Sequence, residues 1–409
     1  MPGMPGKKPL SLAAAAAAIT LGAAACGNGD GADSEALQFG YVFPETGDLS
    51  HLGPPQVSAA KFALHTINEA GGVLDQEVPA ILTGDEANDA AQANDAAQRL
   101  IDNDVDVVLG AASSSMTLAI IDTVTGADTV QCSGSNTAPG LTEEKPTEYY
   151  YRTAPSDLLQ GPVLAQKVAS DGHQNVAIAY RADDYGEGLA NAAAQAMKDN
   201  GIEVKYKEGY DPNAPNFDSV VTEIANQETD AVIMVSFEEG VQIITGLLES
   251  GVDADQMYGT DGLNDETLGS SVDSDNPGII DGFQGTAPDV GEAGFVKDLQ
   301  AFDEDLELLQ FSSQVYDCAI VAALAAEQAE STDPTVFVKE LAPVTQDGEK
   351  CTTFAQCRDL IREGKDIDYE GVSGPINLDE KGDVSQATFQ VYGFEDGGKH
   401  VRQESITVP

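Results

Sequence analysis

The chain has 409 residues, 69 of them acidic and 20 basic, for a formal charge of −49 at pH 7. So acidic a chain repels nucleic-acid phosphates, which excludes nucleic acid as a partner. The acids are spread along the whole length, so they read as a solvation trait that salt screening favours, and they say nothing about a ligand.

Lys7 and Lys8 precede an apolar run, Leu10–Ala25, and small residues lead up to Cys26. This is the order of a secretory leader. At 16 residues the run is short for a membrane-spanning helix, and no stop-transfer pattern follows. A cysteine after small residues resembles a bacterial lipobox, although Ala23 stands where leucine is usual. Residues 1–25 are therefore read as a lipoprotein signal peptide and Cys26 as the lipidated mature N-terminus, with plain secretion as the other outcome. Residues 26–36 are a flexible acidic tether, and acyl chains on Cys26 would hold the protein at a membrane face.

Strands and helices then alternate. Strands are predicted at 37–43, 78–84, 105–109 and 128–134, with helices at 53–72, 87–103 and from Met116. After "YRTAPSD" (151–157) the alternation restarts, with helices at 157–171, 187–200, 216–227 and 239–250 and strands at 175–181, 203–210, 230–237 and 256–262. Repeated βα units imply parallel sheets covered on both faces, and two series imply two Rossmann-like lobes. Residues 312–329 form a helix apolar on most faces, hence buried, and 376–397 read as two strands turning at Gly382.

Within "VDVVLGAASSSMTLAII" (105–121), Ser113, Ser114 and Ser115 occupy a strand-to-helix turn where packing asks for nothing polar. A helix start offers unpaired N–H groups and a positive dipole end, which suits an anion. One serine as an N-cap beside loop filler is the plainer alternative.

Besides Cys26, four cysteines are free to pair in an exported protein. Cys351 and Cys357 are close enough for a local loop, leaving Cys132 and Cys318 as a long-range pair. Two other pairings, or free thiols, stay open. No metal-ligand spacing is seen, "DEKGD" (379–383) lacks the EF-hand pattern, and neither a phosphate-binding Walker loop nor a GxSxG elbow is present. The histidines His51, His65, His173 and His400 fit no catalytic motif, so no catalytic residue, metal or cofactor is assigned.

Six motifs in order resemble the leucine/isoleucine/valine-binding proteins of ABC importers. They are "ETGDLSHLGPPQVSAAKFALHTINEAGGV" (45–73), the pair "GAASSSMTLAIID" (110–122) and "CSGSNTAPGLT" (132–142), "YRTAPSDLLQGP" (151–162), "DDYGEGLA" (183–190), "YGTDGLND" (258–265) and "SGPINLDEKGD" (373–383). The resemblance implies the type I periplasmic-binding fold, an α/β architecture of two lobes joined by a three-strand hinge with the ligand between them. It divides the chain into lobe 1 (37–153), lobe 2 (154–282), lobe 1 again (283–372) and lobe 2 with the C-terminal segment (373–409). Crossings are expected near Arg152–Pro155, Asp281–Gly285 and Ser373–Ile376.

The resemblance also implies residue roles. Ser114, supported by Ser113 and Ser115, would meet the α-carboxylate of an amino acid, Thr137 would grip its head group by hydroxyl and backbone, and a backbone carbonyl or amide of Asn136 would reach the ligand. Asp261, where glutamate is usual, would pair with the α-ammonium, and Tyr185 would close over the ligand. Leu52 and Phe237, where aromatics and tyrosine are common, would line an apolar side-chain pocket. Asp261 as a mere turn residue, Tyr185 as ordinary packing and His51 as a loop histidine are the plainer alternatives. The function implied is a lipid-anchored, monomeric receptor that binds an amino acid, branched-chain or otherwise apolar, and passes it to ABC permease subunits. A receptor for amides or urea-like compounds, or a ligand sensor on the same fold, is the alternative. An exported hydrolase lacks its motif.

Overall fold

In the computed structural model, β1 (Phe39–Val42), β2 (Val107–Gly110), β3 (Val130–Ser133) and β4 (Tyr150–Arg152) pair in that order, all parallel. Every residue of the four is buried, as expected where helices cover both faces of a sheet. The structure describes residues 36–143 and 147–409, so the leader, Cys26 and the tether up to residue 35 lie outside the described residues.

The strand predicted at 78–84 is only an edge segment. It meets β1 through isolated bridges, with the Tyr41 N–H donating to Leu82 O (2.9 Å) and Phe43 N–H to Gly84 O (3.0 Å). Pro79 has no N–H to offer a ladder, which shortens the pairing. The helix predicted at 87–103 runs Ala90–Ile101, because Ala87 and Asn88 adopt left-handed backbone (φ 46° and 52°). Asp89 then caps it, accepting from the N–H groups of Ala91 and Gln92.

The second series gives β5 (Asn175–Arg181), β6 (Glu203–Tyr210), β7 (Ala231–Val235), β8 (Met257–Gly259) and β9 (Gln284–Pro288). A small sheet of β10 (Glu349–Cys351), β11 (Ile367–Gly371) and β12 (Gly374–Pro375) follows, then β13 (Ala387–Glu395) and β14 (Lys399–Val408). The large sheet has the order β14-β13-β9-β8-β7-β5-β6, parallel except where β13 runs against β9 and β14. Two expectations are corrected here. β9 pairs with β8 and β13, so the chain leaves the large sheet after Pro288 and not at Asp281–Gly285. The terminal hairpin turns at Asp396–Gly398, whose positive φ values (50°, 91° and 83°) suit the Asp-Gly-Gly sequence, while Gly382 closes only a single bridge, Leu378 to Val384.

The helix Ser312–Ala329 is buried from Ser312 to Glu327 and joins the core of the first sheet, with Ile320 and Leu324 packed among Phe39, Ala60 and Val107. No helix among the described residues is long and apolar enough to cross a membrane. Two disulfides form. Cys132–Cys318 ties β3 to this central helix across 186 residues, and Cys351–Cys357 closes a six-residue loop beside β10. Chain-entropy arguments assign roughly 5 kcal/mol to a loop of the first length and about 2 kcal/mol to the second. Accordingly, Cys132→Ser/Cys318→Ser should lower the unfolding midpoint in denaturant clearly more than Cys351→Ser/Cys357→Ser does, read by circular dichroism; equal losses would contradict the ranking.

Candidate functional site

At the end of β2 the backbone turns at Gly110 (φ 111°), where any Cβ would lie 2.2 Å from the Val42 carbonyl oxygen. The turn delivers Ser113 to the N-cap position of the helix Ser114–Thr125. The three serines do three different things. Ser113 makes no cap hydrogen bond, and its buried Oγ has no partner among the described residues. Ser114 Oγ accepts the N–H groups of Thr137 (3.2 Å) and Ala138 (3.1 Å), fastening the neighbouring loop. Ser115 donates to Asp184 Oδ2 (2.6 Å) and accepts from the Asp184 N–H (3.3 Å), linking this helix to the helix Asp184–Asp199 that covers the large sheet. Behind them Glu86 is fully buried and accepts the N–H groups of Ala112 (2.8 Å) and Ser113 (3.1 Å). Burial pushes its carboxyl up to about 8.

The large sheet supplies the opposite wall. Tyr185 stands in the first turn of the Asp184–Asp199 helix, Phe237 follows β7, and Asp261 opens a short turn after β8. Tyr185 and Phe237 stack with centroids 5.3 Å apart, and the Tyr185 hydroxyl reaches Thr260 Oγ1 (2.7 Å) and Asp261 Oδ1 (3.0 Å). Gln160 Nε2 also donates to Asp261 Oδ1 (2.9 Å). Burial pushes Asp261 up to about 6, and these two donors hold it from rising further.

Leu52, Ser113, Ser114, Thr137, Tyr185, Phe237 and Asp261 come together around a narrow, nearly closed space of about 10 Å³ at the strand ends of the two sheets. That is room for about one water molecule, so the walls are drawn together and must part to admit a ligand. Asn136 does not join them. Its backbone N–H, expected at the ligand, donates to Ser133 Oγ (3.1 Å), while its Nδ2 donates to Thr117 Oγ1 (2.8 Å) and its Oδ1 accepts from the Tyr150 hydroxyl (2.9 Å), all inside the first lobe. Ser115 sits at the rim, engaged with Asp184. His51 faces an adjoining hollow with Glu238 and Asp265 rather than this space, and burial lowers its pKa.

The sequence reading missed Phe311 and Asp157. Phe311 lines the space from a left-handed backbone (φ 64°) just ahead of the central helix; an unbranched "QFSS" carries no signal for that. Asp157 is fully buried in the first turn of the helix Asp157–Ser170. Neither carboxylate oxygen has a donor in hydrogen-bond geometry among the described residues. Burial and the neighbouring Asp261 charge push Asp157 well above the usual range, eased only in part by the Thr137 side chain and the Arg152 charge. An acid in a helix's first turn is so common a dipole partner that sequence alone gives no reason to single it out.

The arrangement has two poles. A helix start whose hydroxyl has no partner among the described residues can take an anion, and two buried carboxylates, Asp157 and Asp261, close enough for one charge to raise the other, call for a cation. Among the described residues no group of three or more side chains fits a metal ion.

A family model described as "Periplasmic binding protein" matches residues 36–397. The chain is 24% identical over 367 residues to the leucine-, isoleucine-, valine-, threonine- and alanine-binding protein of Pseudomonas aeruginosa, covering 88% of this chain and 90% of that one. Among solved structures, the branched-chain amino acid transporter substrate-binding protein LivJ of Streptococcus pneumoniae, in complex with isoleucine, superposes with a TM-score of 0.74 at 20% identity, covering 91% of this chain and 99% of the other. A solute-binding protein of an ABC transporter from R. palustris, in complex with 4-hydroxybenzoate, gives 0.73 at 16% identity, covering 91% and 97%.

Proposed function

The chain belongs to the periplasmic binding protein family, and from that premise we propose that it captures a free amino acid with an apolar side chain for an ABC importer. The observation that supports this most is a pair of unsatisfied polar groups near the cleft: the Ser113 hydroxyl, which lines it at the helix start, and both oxygens of Asp157, near enough to Asp261 for its charge to act on them. An α-carboxylate takes the first pole, with Ser114 and Thr137 at its side, and an α-ammonium between the two aspartates takes the second. Leu52, Phe237 and Phe311 then wrap the side chain. A ligand with only a carboxylate, such as an aromatic acid, leaves two interacting buried carboxylates without a cation, which is costly.

Binding brings the lobes together, and the Ser115–Asp184 pair closes the rim. The protein works outside the cytoplasm as a monomer tethered through acylated Cys26 and passes its cargo to permease subunits; no reaction is catalysed. Isothermal calorimetry with leucine, leucinamide and N-acetyl-leucine tests the reading. Leucine should bind, and each blocked form should bind about 100-fold more weakly, the scale of a lost hydrogen bond to a charged group. An amide that binds as well as the free acid would remove the helix start from the site and favour an amide receptor.

A further inference from the structure

Arg181, the last residue of β5, is 2% exposed. Removing a guanidinium from water costs several kcal/mol, and an apolar replacement is often equally stable, so a buried arginine calls for a specific account. Here Nε, Nη1 and one flat face of the group are all engaged. Nε donates to Asp183 Oδ2 (2.5 Å), and Nη1 donates to both Glu239 oxygens (3.1 and 3.0 Å). The flat face lies on the Phe237 ring, 3.7 Å from its centroid. Below it, a Cβ at Gly186 would come within 2.8 Å of Arg181 Cγ, so the stem is wedged against the first turn of the helix that carries Tyr185.

Those partners sit on the loops that build one wall of the cleft. Asp183 caps the Tyr185 helix through the Gly186 N–H (2.9 Å). Glu239 follows Phe237 by two residues and also accepts from the Tyr210 hydroxyl (2.9 Å) and the Phe237 N–H (3.3 Å). Phe237 stacks on Tyr185 at an interplanar angle of 18°, and Tyr185 donates to Asp261. The guanidinium and the two rings are stacked in turn, and the carboxylate is hydrogen-bonded to the hydroxyl of the second ring.

We infer that Arg181 is a positioning residue for ligand recognition: through the Phe237–Tyr185 stack it sets the hydrogen bond that orients Asp261 toward the ligand's cationic end. This rests on the amino-acid reading above, and it adds a group that never touches the ligand. Lysine cannot replace it, because a single ammonium offers neither the planar fork for Glu239 and Asp183 nor a flat face for the ring.

Two measurements test the assignment. The chain has no tryptophan, so its near-ultraviolet circular dichroism in the tyrosine band is free of indole, and the contribution of Tyr185 is the difference between the wild type and Tyr185→Phe. In ligand-free protein Arg181→Lys should abolish that difference while the fold, followed by far-ultraviolet circular dichroism, is kept. In calorimetry Arg181→Lys should weaken leucine binding about tenfold, and adding Tyr185→Phe should cost less than about twofold more, because groups in one chain of contacts do not add. Arg181→Met/Glu239→Gln, which leaves no charge facing a lost partner at Glu239, repeats both readings if the lysine variant folds poorly. A preserved Tyr185 signal, or losses that multiply, overturns the assignment. Should the wild type bind no amino acid, the functional reading falls while the ligand-free arm still decides the role of Arg181.

Discussion

Asp157→Asn should weaken leucine binding by roughly 10- to 150-fold, about 1.5–3 kcal/mol, and at the same time make the ligand-free protein more stable. Both signs follow from one buried carboxylate with no donor in hydrogen-bond geometry among the described residues. Its folded-state pKa is raised, so the folded protein holds the proton more tightly than the unfolded chain does. Stability is therefore fully present below the unfolded value of about 3.9 and declines as pH rises from there through the raised folded value. Asparagine never ionises and escapes that decline. The ligand's ammonium acts the other way, since it favours the ionised pair; affinity should fall as pH drops through about 6, where Asp261 takes up its proton. Thermal unfolding of both proteins at pH 5 and pH 8, with and without leucine, checks the signs. An Asp157→Asn protein that is less stable without ligand, or that binds leucine as tightly as the wild type, would contradict the assignment.

Arg152→Met should cost about 3–5 kcal/mol of stability, the scale for breaking a buried ion pair from one side. Arg152 ends β4 and is wholly buried. Nε pairs with Asp383 Oδ1 (2.5 Å), Nη1 donates to Ala138 O (3.0 Å), and Nη2 donates to Thr142 Oγ1 (2.7 Å). The first crossing between the lobes is thus pinned to the loop before β13 and to the loop that carries Thr137. Most of the loss is the penalty of leaving Asp383 buried and unpaired, so Arg152→Met/Asp383→Asn should recover a measurable part of it. Urea unfolding of the three proteins gives the comparison, and a double variant no better than the single one would show that the pair itself is not the cause.

How far the sequence could be read depended on whether the cause was local. β5 and β6 are found at the residues predicted, since β-branched and aromatic runs bounded by polar turns suffice to mark a strand. The buried helix Ser312–Ala329 was equally legible from its apolar faces. The edge segment at 78–84 and the Gly382 turn were misread because pairing there depends on a partner strand far away in the chain. In the site, the resemblance led to Leu52, Ser113, Ser114, Thr137, Tyr185, Phe237 and Asp261, which the structure gathers. It also led to Asn136, which Thr117 and Tyr150 hold inside the first lobe. Asp157 stayed hidden because its meaning arises only when a second carboxylate, more than a hundred residues away in sequence, is buried near enough for its charge to act on it. Phe311 needed a backbone conformation that its neighbours do not announce.

A crystal structure of the protein grown with leucine tests the central claim most directly. The account predicts the α-ammonium between Asp157 and Asp261 and the α-carboxylate at Ser113 and the helix start. An amino acid seated the other way round, or one that leaves the two aspartates unpaired, would contradict it.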